Sequence, residues 1–200
     1  DNGTLDGFKR LNDKKHPRIK NTPGYDFVKD FNVIIALPFR VRHFYLWNGE
    51  EKTIPLIYSG GTQYDHKVRY EIYQKLRRFN PYIKRHKMRA YAHMLKSSKI
   101  CIAAPGWGPI GAANTEALAA AAVLFAYESM KEVKLFPFIE MVDGQDYVSF
   151  NLDNAEKKLE KLIRNEDEIK RIAANGRKAF DIGYNPRRTA EQIIDFFKER

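Results

Sequence analysis

KICIAAPGWGPIGAANTEALAAAAVLFAY, residues Lys99–Tyr127, is the stretch whose reading decides the fold. It predicts an apolar strand over Lys99–Ala104, a glycine-bearing loop over Pro105–Gly111, an alanine-rich helix, and a second apolar strand over Val123–Tyr127. Together these make one parallel βαβ unit, with the loop at the carboxyl end of its first strand. Backbone N–H groups and the helix dipole favour an anion there, such as a phosphate or pyrophosphate. Glu116 is expected in the first turn of the helix, where a carboxylate can accept two hydrogen bonds from adjacent sugar hydroxyls. A structural reading competes, because such loops are common and an acidic residue at that place also compensates the dipole. No GxxxxGK[ST] run decides between them.

Working outward, Thr53–Ser59 (TIPLIYS) predicts a strand that Gly60-Gly61-Thr62 leaves directly, followed by a helix over His66–Phe79. Val68, Ile72, Leu76 and Phe79 share one face of that helix and are expected inside. Lys67 and Arg69 fall in its first turn, where a cation is electrostatically misplaced unless it serves an anion. A short strand is expected near Tyr82–Lys84, then a helix over Arg89–Lys96 with Tyr91, Met94 and Leu95 as its apolar face. His86 and His93 have no Cys, Asp or Glu at ligand spacing, so neither reads as a metal ligand.

The segment before this is less regular. Residues 1–30 are polar and basic and read as an arm or connector, with residues 31–200 as the folded domain. Asn32–Leu37 (NVIIAL) predicts a short strand stopped by Pro38. The following FRVRHFYLWNGEEK mixes aromatic and basic residues. That pattern can hold nucleic acid, and it also describes an irregular crossover packing its rings inward, which is the reading adopted here. Downstream, Asp146–Phe150 is expected as a last strand. Asn151 or Asp153 then caps a helix over Ala155–Arg164 with Leu159, Leu162 and Ile163 inward. Two more amphipathic helices follow, one carrying Ile169, Ile172, Ala173 and Phe180, the other Ala190, Ile193, Ile194 and Phe197.

Composition bounds the function. Two hundred residues suit one domain with a sizeable core. No apolar run approaches the roughly 20 residues of a membrane-spanning helix, and no signal peptide is visible. The chain opens on Asp1, as a piece of a longer protein would. The single cysteine, Cys101, excludes a disulfide scaffold, is compatible with a reducing compartment, and is expected as a small core residue. The net charge of +10 suits an anionic partner: a nucleotide, a nucleic acid or an acidic membrane surface. The alternation of strands and helices, closing in a helical tail, predicts an α/β, Rossmann-like, doubly wound parallel sheet. Ligands of such sheets bind outside the carboxyl ends of the strands, where the Gly60-Gly61 and Gly106–Gly111 loops both fall.

Certain residues recur in an order that resembles a known family. They are Tyr58-Ser59-Gly60-Gly61 and Arg69; Tyr91 and Leu95–Cys101; Pro105-Gly106-Trp107-Gly108-Pro109; Glu116-Ala117-Leu118; and Leu135-Phe136-Pro137-Phe138. This succession resembles the donor-binding, C-terminal half of exostosin-like and related glycosyltransferases of the GT-B fold, over about residues 32–164. IAANGRKAF at Ile172–Phe180 is similar to the tail of bacterial GT-B transferases. The chain departs from the pattern just before the glutamate, where Ala113 and Asn114 stand in place of a basic residue. It departs again at Ala119–Leu124, where the family tends to read Gly-Cys-Ile-Pro-Val-Ile.

The resemblance implies transfer of a sugar from a nucleotide-diphosphate sugar, with no cofactor and no metal in the donor site. Glu116 would take the ribose hydroxyls. Gly106, Trp107, Gly108 and Gly111, with Asn114 and Thr115 in the first turn, would hold the diphosphate beside Gly60 and Gly61. Arg69 would neutralise the leaving group. A complete GT-B enzyme has a second, acceptor-binding domain, expected here on a partner or elsewhere in the protein. Asp26, Asp30 and His43 are the candidate bases in the preceding segment. The alternatives are a non-catalytic nucleotide-sugar-binding module and, ranked last, a basic nucleic-acid protein, which lacks RRM, KH or zinc signatures here. The basic surface also leaves peripheral membrane association open.

Overall fold

A computed structural model of the chain describes residues 41–59, 67–83, 87–105, 110–132, 135–136 and 139–198. Its strands are β1 (Ile54–Ser59), β2 (Ser98–Ala103), β3 (Val123–Tyr127) and β4 (Val148–Phe150), all parallel, in the order β1-β2-β3-β4. The helices are α1 (Lys67–Leu76), α2 (Met88–Lys96), α3 (Ala112–Ala119), α4 (Ala155–Ile163), α5 (Glu166–Gly183) and α6 (Pro186–Lys198). Each observed boundary falls within two residues of the expected one for β1 to β4. The expected strand at Asn32–Leu37 lies outside the described residues, as does Lys84.

Tyr82 settles the winding. It bridges to Ile57 in parallel, accepting from the Tyr58 N–H at 3.1 Å and donating to the Leu56 carbonyl at 2.8 Å. Those β1 groups point away from β2, so Tyr82 lies on the opposite side of β1 from β2. The chain therefore leaves β1 in one direction through α1, then doubles back through α2 to β2 and continues the other way. Right-handed crossovers put helices reached in opposite directions on opposite faces of a parallel sheet. The core agrees: Ile72 and Leu76 of α1 pack with Leu56, Ile100 and Phe125, whereas Ala92 and Leu95 of α2 pack with Ile57, Cys101 and Leu124. The sheet is doubly wound, and its switch point lies between the carboxyl ends of β1 and β2.

Covering both faces explains why β2 and β3 read as continuous apolar runs. On the α1 face, α4 and the first half of α5 complete the layer, and Phe125 stacks on Phe150 at 4.3 Å. On the α2 and α3 face, alanines of the sheet (Ala103, Ala126) and of α3 (Ala117, Ala119) lie in one cluster with larger side chains such as Leu118, Leu124, Phe136 and Phe180. Four residues expected on apolar helix faces are corrected. Val68 is exposed in the first turn of α1, Ile163 at the last residue of α4, beyond Leu159 and Leu162, and Ala190 and Ile194 on α6. At the outer edge of β4, the Asp143 carboxylate accepts from the Ser149 N–H at 2.8 Å and Lys158 Nζ donates to the Ser149 carbonyl at 2.7 Å. Charged side chains thus occupy that edge. No described helix is long and apolar enough to cross a membrane.

Candidate functional site at the switch point

In doubly wound sheets the crevice for ligands opens where the strand order reverses, outside the carboxyl ends of the strands. Here that is the ground beyond Ser59 and Ala103, which are paired in register. Arg69 reaches it from the first turn of α1. Its Nε donates to the carbonyl of Pro105, two residues past β2, and its own carbonyl accepts from the Tyr58 hydroxyl at 2.9 Å. Burial pushes the Tyr58 hydroxyl well above its ordinary pKa, against the pull of Arg69, so it stays a neutral donor. The arginine is tied at both ends across the switch point, its charge held beside the loop that leaves β2.

The far wall is α3. Gly111 is its N-cap in extended conformation, with φ −136°, and its N–H donates to Asn114 Oδ1 at 2.8 Å. Asn114 Nδ2 donates to the Met130 sulfur at 3.2 Å, and Thr115 Oγ donates to the Ala112 carbonyl at 3.1 Å. Both side chains are buried and spent inside the protein. What this helix end can offer a ligand is therefore backbone N–H rather than the Asn114 or Thr115 side chain.

Glu116 sits in the second turn of α3, one residue past the first turn where it was expected, because the helix starts only at Ala112. Its side chain is half-buried. Its negative charge adds to burial in raising the pKa of Tyr45, of Tyr91 on α2 and of Cys101 on β2. Burial pushes the Glu116 carboxyl up, and the bond from Tyr45 opposes that rise. Tyr91 in turn donates to Ser59 Oγ at 2.6 Å, which links the cluster to the last residue of β1. Arg69 and Glu116 thus lie on helices that cover opposite faces of the sheet.

Gly60, Gly61, Gly106, Trp107 and Gly108 lie outside the described residues, as do Asp26 and Asp30. His43 is described, exposed on the 3-10 turn His43–Tyr45, with its ring edge-on to Phe44 at 5.5 Å. Cys101 is fully buried, and burial raises its thiol pKa far above neutrality, as suits a core residue.

Gly106-Trp107-Gly108-Pro109-Ile110-Gly111 also carries the G-x-G-x-x-G spacing of dinucleotide turns, which the reading of this loop as lacking such a run overlooked. In that turn the third glycine sits inside the helix and packs it against a strand. Here Gly111 precedes the helix, and among the described residues a Cβ on it would meet nothing nearer than Asn114 Oδ1 at 4.0 Å. The spacing is present, but its third glycine stands before the helix rather than in it. A separate groove of about 500 Å³ lies among Asp143, Lys158, Lys161, Asn165 and Glu168 at the outer side of β4, and none of the candidate donor-site residues lines it.

Sequence reasoning missed Tyr45, and it named Ser59 and Tyr91 among the residues of the resemblance without giving their hydroxyls a role. Rings at helical or crossover spacing are visible in a sequence, but the partners of their hydroxyls are not. Among curated proteins, none matches this chain. Residues 48–195 match the glycosyl transferase-like family, well over half of the chain and all of the described sheet. With the α/β sheet and its switch point, that match makes this chain a member of the glycosyl transferase-like family.

Proposed function

We propose that the chain is the donor-binding domain of a glycosyltransferase that takes its sugar from a nucleotide-diphosphate sugar without a metal in the donor site. Glu116 accepts the ribose hydroxyls. The loop at Gly106–Gly111 and the first N–H groups of α3 receive the diphosphate, with Gly60 and Gly61 beside them. Arg69 neutralises the charge that develops as the bond from the anomeric carbon to the phosphate oxygen breaks. The acceptor oxygen bonds to that carbon, and its proton passes to a base on the acceptor side, for which Asp26, Asp30 and His43 are the candidates in this chain. The acceptor is a glycan or another hydroxyl compound, presented by a second domain. The observation that supports this most is Arg69, fixed on the Pro105 carbonyl beside the loop that leaves β2, with Glu116 on α3, the helix that follows that loop.

The test is a thermal-shift panel of nucleoside diphosphates and their sugars on the wild type and on Glu116→Ala. Ligand at about 100 times Kd adds roughly 2.7 kcal/mol, several degrees for a chain of this size. One base should produce that shift, and the variant should lose it. Equal shifts in both proteins remove Glu116 from the site. No shift with any nucleotide removes the donor reading. A shift without sugar turnover on a range of acceptors assigns binding alone to this chain.

A further inference from the structure

We propose that the edge of the sheet beyond β1 docks on an anionic membrane surface, with Lys75, Arg77, Lys87 and Arg89 meeting lipid phosphates and Met88 entering the headgroup layer. The charge of the chain is not spread evenly. Nine of its 35 Lys and Arg and none of its 25 Asp and Glu fall in residues 72–115, so that stretch carries +9 of the net charge of +10. Seven of the nine lie in residues 75–89, the segment that passes the outer edge of β1 through Tyr82. Lys75 and Arg77 stand where the chain comes to that edge from α1, and Lys87 and Arg89 where it leaves into α2. Lys84 and Arg85, between them in sequence, lie outside the described residues.

Some of these cations are spent inside the domain. Arg78 lies 3.5 Å from Glu156 and 3.7 Å from Glu160 of α4, Lys96 pairs with Glu50, and Lys99 pairs with Glu166 at 2.7 Å. Lys75, Arg77, Lys87 and Arg89 are exposed, and among the described residues none of them has a carboxylate partner. Uncompensated cations of this kind attract an anionic leaflet. What accompanies the charge decides between a membrane and a nucleic acid. A single-stranded nucleic acid stacks its bases on free rings. Here Tyr73 and Phe79 pack on one face of the sheet, Tyr82 and Tyr91 on the other, and the Arg78 guanidinium covers Phe79 at 4.8 Å. Met88, between Lys87 and Arg89, is instead 45% exposed. A long apolar side chain flanked by two cations can enter a headgroup layer while its neighbours stay on the phosphates. Tyr91 in the first turn of α2 donates to Ser59 Oγ at 2.6 Å, so this end of α2 lies beside the switch point. Docking there brings the ligand crevice to the lipid surface, whatever the crevice binds.

The experiment is co-sedimentation with vesicles of phosphatidylcholine alone and with about one-third phosphatidylserine, at about 0.1 M and about 0.5 M salt. The wild type should bind the second vesicle only, and should lose most of that binding at the higher salt. Lys87→Gln/Arg89→Gln should weaken it about twentyfold, roughly fivefold for each cation near a charged surface. Lys170→Gln/Lys178→Gln removes the same charge from exposed positions of α5 and should weaken it by no more than about twofold. Met88→Ser should also weaken vesicle binding. Thermal melts check that each variant folds. No binding to the phosphatidylserine vesicle, or equal loss in the two double variants as net charge alone would give, overturns the proposal. So does unchanged binding of Met88→Ser. A single-stranded oligonucleotide held more tightly than the vesicle, and released by Lys87→Gln/Arg89→Gln, assigns this edge to nucleic acid and overturns it as well.

Discussion

The two faces of the sheet hold the same strands by different means. The α1 face is bulk: Leu56, Ile100, Ile102 and Phe125 lie under Ile72, Leu76, Leu159 and Ile172, all nearly or fully removed from water. The opposite face mixes alanines with large side chains such as Leu118, Leu124, Phe136 and Phe180, and it also carries polar side chains: Glu116, Tyr45, Tyr91 and Asn114. Large side chains contribute through the area they remove from water, and small ones through how near they let a helix come. Both faces therefore supply stability, and the alanines of the second also let α3 lie close to the sheet.

The sharpest way to break that contrast is Phe125→Ala. Phe125 is fully buried and stacked on Phe150 with an interplanar angle of 10°, so the variant opens a cavity between two rings. We expect a loss of about 3–5 kcal/mol in urea unfolding, as for a buried phenylalanine truncated to alanine. A loss no greater than that of an average surface substitution would show that the α1 face does not carry the fold. On the α3 face the corresponding error is an added methyl. Gly176 of α5 faces the Asp146 carbonyl and Leu118 of α3, and a Cβ there would stand 2.5 Å from that backbone oxygen and 2.9 Å from Leu118 Cδ2. Alanine gains helix propensity of up to about 1 kcal/mol over glycine, whereas overpacking costs about 1–3 kcal/mol. The contact is backbone rather than a side chain that can yield, so Gly176→Ala should be destabilising. Stabilisation would mean that α5 can move off the sheet.

This contrast also marks what the sequence disclosed. Strand and helix order were readable, because burial on both faces leaves β2 and β3 apolar throughout and because β1 and β2 each run into glycine. The chain's membership of a glycosyl transferase-like family was readable too, from Ser98–Cys101, the glycine loop and Glu116-Ala117-Leu118 in succession. The exact start of α3 was not. Glycine at 111 and two alanines after it carry little signal for where a helix begins, so Glu116 was set one residue too early. Val68 was misread because periodicity knows which residues share a face but not which of them another element covers. The tyrosine hydroxyls escaped for the same reason: Tyr45 and Tyr91 come from segments 46 residues apart and meet only in the fold. Lys52 shows the same limit. It looks like a surface charge in EEK, yet burial pushes its pKa down to about 8 while Nζ donates to the Ala120 carbonyl at 2.7 Å.

That carbonyl belongs to the other end of α3, where the smallest of the expected effects lies. The helix closes through Ala121 in the left-handed region at φ 50°, with the Ala122 N–H donating to the Ala117 carbonyl and the Ala121 N–H to Leu118, both at 3.0 Å. This is the bonding of a Schellman turn, whose left-handed position usually holds glycine. The last carbonyls are further engaged by the Trp47 N–H, by Lys52 and by Arg177, whose Nη1 reaches Ala119 at 2.7 Å, so the turn is held in place by groups other than Ala121 itself. An alanine in that conformation carries a steric cost of about 1–2 kcal/mol, and glycine loses part of the gain to the greater freedom of its unfolded chain. Ala121→Gly should therefore stabilise the domain by about 0.5–1 kcal/mol, a rise of a few degrees in Tm. It should do so without changing nucleotide affinity, because the amino end of α3 is untouched. A fall in Tm would mean that the methyl of Ala121, 8% exposed, contributes more by packing than its backbone costs, and that alanine on this face works through contact as well as through its smallness.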